Sequence, residues 1–179
     1  MKLLKTVLIP LALVLSAPWA AAQAPDVGPY AVAAVGRTSY DADCYYFDCE
    51  RARATSGKLI LGYQFEVFGV EGWVGDWGQA SLSSQAWLRL RTVGVNAVWR
   101  KQFGASLKGL MRAGVAQVRH ERSDDGTVNH AEGTFGLALV LDLTPGAALE
   151  AAWDLSNATG KNRGNVLAQT VTLGLRLRF

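Results

Sequence analysis

The end of the chain alternates without interruption. Leu167, Gln169, Val171, Leu173, Leu175, Leu177 and Phe179 fall on one face of an extended segment, and Ala168, Thr170, Thr172, Gly174, Arg176 and Arg178 on the other. A period of two sends successive side chains to opposite sides of a β-strand. The same alternation sets Phe135, Leu137, Leu139, Leu141 and Leu143 against Gly136, Ala138, Val140 and Asp142. It sets Leu59, Leu61, Tyr63 and Phe65 against Lys58, Ile60, Gly62 and Gln64, and Leu149, Ala151, Trp153 and Leu155 against Glu150, Ala152 and Asp154. Weaker versions run from Tyr30 to Tyr40, Phe68 to Trp77, Trp87 to Trp99 and Leu107 to Arg119. A helical period of 3.6 is nowhere convincing. The pattern predicts eight strands.

The connections carry as much information as the strands. A long polar stretch, Asp41 to Arg53, follows the first strand, and a tight turn at Glu66-Val67 follows the second. Gly78 to Gln85 is long, Lys101-Gln102-Phe103-Gly104 short, His120 to His130 long, Thr144-Pro145-Gly146 short, and Ser156 to Asn165 long. Long and short alternate throughout, as they do in an up-and-down outer-membrane barrel with extended loops outside and minimal turns in the periplasm. Eight strands of about 10 residues fit the length and leave room for these connections, whereas twelve would not.

A soluble eight-stranded barrel of lipocalin type would alternate in the same way, turned inside out. Two features favour the membrane. The polar faces hold small residues (Gly62, Gly114, Gly136, Gly174, Ala138, Ala152), as a narrow, filled lumen requires. The last alternating strand also stops on an aromatic residue, Phe179.

The N-terminus fixes the compartment. Lys2 and Lys5 form a positive region, Val7 to Leu15 an apolar stretch, and Ala20-Ala21-Ala22 a small-residue cleavage site, so residues 1–22 read as a signal peptide and 23–179 as the barrel domain. The apolar stretch is shorter than the roughly 20 residues a spanning helix needs. Half of the 179 residues are hydrophobic and 18% charged, which excludes a disordered chain. The formal charge of +3 comes from 18 basic and 15 acidic residues; without Lys2 and Lys5 it falls to 16 against 15, or +1. A balanced chain of this kind offers nucleic acid no basic patch. Cys44 and Cys49 lie four residues apart in a polar segment of an exported chain, which points to a small disulfide loop. A metal site would need further ligands, and a redox pair would need two intervening residues.

The stretch Lys58-Leu59-Ile60-Leu61-Gly62-Tyr63-Gln64-Phe65, followed by Phe68-Gly69-Val70-Glu71-Gly72, resembles the second and third strands of OmpA-like outer-membrane β-barrel proteins. The loop with Cys44 and Cys49 just upstream is similar to one in some members. The terminal Leu173-Gly174-Leu175-Arg176-Leu177-Arg178-Phe179 resembles the signal that the family presents to the barrel-assembly machinery, with Leu173, Leu175, Leu177 and Phe179 as its apolar positions. The resemblance implies an eight-stranded antiparallel barrel in the bacterial outer membrane, with a structural, adhesive or undefined role. The peptidoglycan-binding domain of larger members has no counterpart after Phe179, so no tethering role is carried over.

Other candidate motifs weaken on inspection. Gly69, Gly72, Gly75 and Gly78 recur every third residue but precede no helix that could hold a phosphate. Asn157-Ala158-Thr159 matches a glycosylation sequon of a length common by chance. Asp41, Asp43, Asp48 and Glu50 lack the ligand ladder of a calcium loop. Ser156-Asn157-Ala158 resembles a stretch in barrels that deacylate lipid A, but those carry His two residues before the Ser, where this chain has Asp154. His120 and His130 lie in another connection. No enzyme, cofactor or metal is expected.

The polar faces carry five basic and five acidic residues: Lys58, Lys108, Arg112, Arg176 and Arg178 against Glu71, Glu132, Asp142, Glu150 and Asp154. Glu71 on the third strand, Arg112 on the fifth, Glu150 on the seventh and Arg176 on the eighth fall in the middle or periplasmic half. Glu150 and Arg176 stand on adjacent strands, whereas Glu71 and Arg112 must reach across the lumen. Unpaired burial of such groups is strongly unfavourable, so mutual pairing is expected, and with it a plugged lumen. The expected protein is a monomer surrounded by outer-membrane lipid, with no partner specified for its loops. A narrow or gated channel is the alternative, and a lipid-modifying enzyme stands behind it.

Overall fold

The computed structural model describes residues 27–42, 52–81, 87–122, 126–159 and 165–179. Eight strands run in chain order: β1 (Gly28–Ala42), β2 (Ala52–Gln64), β3 (Phe68–Ser81), β4 (Trp87–Gln102), β5 (Leu107–Arg122), β6 (Gly126–Thr144), β7 (Ala147–Thr159) and β8 (Asn165–Arg178). Each pairs antiparallel with the next, and β1 closes on β8 through partners such as Ala33 with Leu175 and Val35 with Leu173. Closure leaves no open sheet edge, which is what a lipid environment demands of backbone N–H and C=O groups.

The two faces of this sheet are inverted relative to a water-soluble barrel. Leu61, Val70, Val95, Val115, Leu139 and Val171 point outward and are exposed, Leu61 by 71%. Glu71 and Arg112 point inward and are 2% and 1% exposed. An apolar wall around buried charges is stable only where the solvent outside is hydrocarbon. At the end that carries the short turns, Phe65, Phe68, Trp99, Phe103 and Phe179 are all exposed. They form the aromatic girdle of a membrane interface, with Phe68 and Trp99 rings 5.4 Å apart across neighbouring strands.

The strand cores lie where the alternation places them, but all four outer connections are shorter than the sequence suggests. β5 continues to Arg122 and β6 begins at Gly126, so much of the expected loop His120–His130 is paired strand, with His120 opposite Val128 and Val118 opposite His130. β3 likewise continues to Ser81, and β7 to Thr159. Beyond the hydrocarbon the outward face is wet, as at Arg119, Thr127 and Asn129, so the hydrophobic alternation fades while the hydrogen-bond ladder persists. β3 bends there at a bulge between Asp76 and Gln79. Gly78 takes φ 82° at this point, and a Cβ on it would sit 2.1 Å from the Thr55 carbonyl oxygen, so only glycine fits. The expected signal peptide (1–22) and the Cys44–Cys49 pair lie outside the described residues.

Candidate functional site

The inward face of the periplasmic half brings Glu71, Arg112, Glu150 and Arg176 together with Tyr30. Arg112 donates from Nε to Glu71 Oε2 at 2.7 Å and from Nη2 to Glu71 Oε1 at 3.1 Å and Glu150 Oε1 at 2.7 Å. Arg176 donates from Nε and Nη2 to Glu150 Oε2 at 2.9 and 2.7 Å. Its Nη2 also lies 3.6 Å from Glu71 Oε1. Tyr30 completes the group, donating its hydroxyl to Glu71 Oε1 at 2.7 Å while its ring lies 4.0 Å from the Arg176 guanidinium carbon. Two arginines and two glutamates from four strands thus form one neutral unit, each carboxylate meeting both cations.

Small residues make the space for it. Gly62 stands opposite both Tyr30 and Glu71, Gly136 opposite Arg112, Gly174 opposite Glu150, and Ala148 opposite Arg176. At Gly62 a Cβ would come within 2.4 Å of the Tyr30 ring. Each long polar side chain therefore crosses the lumen over a neighbour that has almost none. Tyr30 escaped the sequence reading. Its place emerges only from the β1–β2 register, which puts an aromatic hydroxyl directly across from Gly62.

Further polar contacts continue the filling on either side. Lys58 Nζ donates to both Asp154 carboxylate oxygens at 2.9 Å and lies 5.1 Å from the Trp73 ring centre. Nearer the periplasmic end, Lys108 pairs with Asp142 at 2.8 Å, and Arg178 joins the same carboxylate. A void of about 20 Å³ remains there, lined by Tyr30, Gln64, Lys108 and Arg176 among others. That is space for about one water. Toward the outside the lumen becomes more apolar, with Trp77, Ala80, Leu88, Leu90, Val118 and Ala168 buried, although Thr38, Ser56, His120 and Ser156 are buried on the same face. Trp77 Nε1 donates to Thr92 at 2.8 Å, and Tyr40 donates to the Trp77 carbonyl at 2.9 Å.

The residues weighed for lipid deacylation are distributed differently. Asp154 is held by Lys58, and Ser156 faces the lumen, 2% exposed, with no hydrogen-bond partner among the described residues. His130 Nε2 lies 2.6 Å from Glu132, on its own strand. Glu132 itself is thus placed apart from the four-residue unit.

A family model described as "outer membrane protein beta-barrel domain" matches residues 7–179. The chain belongs to that family. As an OmpA-like outer-membrane barrel it resides in the bacterial outer membrane. Solved structures agree on the fold. Neisserial surface protein A is 15% identical with a TM-score of 0.70, the match covering 85% of this chain and 97% of that one. The N-terminal β-barrel domain of Pseudomonas aeruginosa OprF is 16% identical with a TM-score of 0.59, covering 86% and 98%. Ail, the attachment invasion locus protein of Yersinia pestis, is 14% identical with a TM-score of 0.53, covering 84% and 99%. No match is found among curated proteins.

Proposed function

We propose that this outer-membrane barrel has a structural or surface-interaction role, without catalysis, and that its lumen is closed to ions by buried ion pairs. The observation that carries the reading is the Glu71–Arg112–Glu150–Arg176 unit, whose members are all at most 4% exposed. An ion entering this region would have to break charge-assisted hydrogen bonds in a low-dielectric interior, and the void lined by Tyr30 and Arg176 is about 20 Å³. The attachment invasion locus protein among the similar barrels supports a surface role by analogy. Any interaction would fall to the outer ends of the hairpins, since the walls face lipid. Planar-bilayer recording of the purified protein tests the closure. No steady conductance is expected; a large, steady one would overturn it.

A gated channel is the second reading. It is favoured by one feature: Arg112 bridges two carboxylates and could exchange one for the other while staying paired.

Two smaller proposals accompany this reading. Leu173, Leu175, Leu177 and Phe179 serve as the assembly signal for the barrel-assembly machinery, and the barrel is a monomer in lipid. Cys44 and Cys49 form a disulfide in the β1–β2 connection; thiol labelling without reductant should find neither free, and a readily alkylated pair would remove the link.

A further inference from the structure

Within the apolar band every strand is paired on both sides, but the pairing stops short of the barrel's outer end. The last rung between β6 and β7 is Thr134 with Ser156, although β6 reaches up to Gly126 and β7 to Thr159. On their other sides both strands stay paired, β6 with β5 as far as Gly126 opposite Arg122, and β7 with β8 as far as Thr159 opposite Asn165. A second seam lies between β2 and β3, whose pairing ends at Gly57 with Asp76. The described outer part is therefore two four-stranded sheets, β3 to β6 and β7-β8-β1-β2. The two seams differ. That between β2 and β3 is blocked, because Tyr40 from β1 shares its hydroxyl between the carbonyls of Trp77 and Gly78, at 2.9 and 3.0 Å, and the Thr55 carbonyl packs against Gly78. At the foot of the β6–β7 seam, the Ser156 hydroxyl is buried with no hydrogen-bond partner among the described residues.

A strand edge makes its own demand on a partner. Residues 126–133 of β6 span about 26 Å, and every second one turns its N–H and C=O away from β5, toward the seam. Such groups are satisfied best by another extended backbone. The edge also lacks the devices that usually keep strangers off. Residues 126–133 include no lysine, arginine or proline, and the β5–β6 register runs through them without a bulge. Phe135 is the last large apolar residue facing outward on β6, with Asn129 and Thr127 facing outward above it, so a water-borne segment can reach the edge. Next to Phe135 the outward positions are Gly133 and Ala131, which leave room for a large side chain opposite them. Glu132, on the inward side, disfavours an acidic neighbour.

We propose that the β6 edge at residues 126–133 docks an extended segment of a soluble extracellular protein, which adds to the sheet as a further strand. The segment is neutral or basic and rich in β-branched and aromatic residues. The proposal rests on the surface-interaction reading above and is independent of whether the lumen conducts. The test places the full chain in phosphatidylcholine nanodiscs with a synthetic peptide of about ten residues, alternating valine or tyrosine with threonine or lysine. Binding is read by fluorescence anisotropy and located by amide hydrogen exchange. Without peptide, every second amide of 126–133 should exchange fast. With peptide, that set should slow at least roughly tenfold, while the amides of β4 stay unchanged. Two copies of the peptide, N-methylated at odd or at even positions, keep all side chains; one of them should bind at least roughly tenfold more weakly, because only one set of N–H groups faces the edge. Equal binding of both methylated copies and the parent would overturn the edge in favour of side-chain adhesion. Protection confined to another hairpin would overturn it while leaving the surface role standing. No binding at about 1 mM peptide would also overturn it. So would alternate amides already protected before peptide is added, since a segment of the chain itself would then occupy the edge.

Discussion

At the scale of single residues, the charge unit in the lumen is held by exchange of partners rather than by isolated pairs. Arg112 spends three hydrogen bonds on two glutamates, and Arg176 supports both of the same glutamates from β8. Removing one member leaves the rest buried with unbalanced charge, and that penalty exceeds the net value of the contact itself. Arg112→Ala should therefore destabilise the folded barrel by about 3–5 kcal/mol in a denaturant titration in detergent. Glu71→Gln should also destabilise it, because it leaves one net buried positive charge and turns an amide N–H toward an Arg112 donor. Equal and small losses for both would mean that water, not the partner side chain, satisfies these groups.

At the scale of elements, β8 joins the least flexible requirements of sequence and fold. It must pair with β7 on one edge and with β1 on the other, and its outward residues must suit lipid. The final contacts are made by Phe179, whose backbone N–H donates to the Pro29 carbonyl at 3.1 Å, next to the aromatic girdle. Deleting Phe179, or substituting Asp at the outward Leu175, should lower membrane insertion and leave aggregate in the periplasm, measured by membrane fractionation. A charge on the lipid face costs up to about 2–4 kcal/mol near the midplane, with Asp toward the low end. Normal insertion of both variants would count against the role given to this strand. The element scale is also where the sequence is most and least readable. β8, β6 and β7 are plain because lipid on one side and a packed lumen on the other impose opposite polarity on alternate residues. The ends of β5 and β6 are not, because Arg119, Glu121, Thr127 and Asn129 face outward beyond the hydrocarbon. There, strand pairing leaves no hydrophobic trace. Within the site, charge and strand position single out Glu71, Arg112, Glu150 and Arg176. Tyr30 is invisible until β1 is set in register with β2, and the three-way sharing of carboxylates depends on side-chain reach that no spacing encodes.

At the scale of the whole molecule, the proposed closure of the lumen would combine two kinds of filling, one toward each end. The periplasmic half holds the ion unit, and the outer half holds Tyr40, Trp77, Leu88, Leu90 and Val118, with Thr38, His120 and Ser156 buried on the same inward face. The two barriers respond to different substitutions. Breaking charge pairs would let water reach the middle of the barrel, but an ion would still have to pass Trp77, Leu88, Leu90 and Val118, where a few hydroxyls such as Thr38 and Ser156 replace little of its hydration. Arg112→Ala alone should therefore remain non-conducting in a planar bilayer, even though less stable. Combining it with Trp77→Ala and Leu90→Ala, which empties the outer half, should be needed before steady current is seen. If Arg112→Ala by itself opens a conductance absent from wild type, the outer cluster is no barrier. The ion unit would then be the gate of a narrow channel.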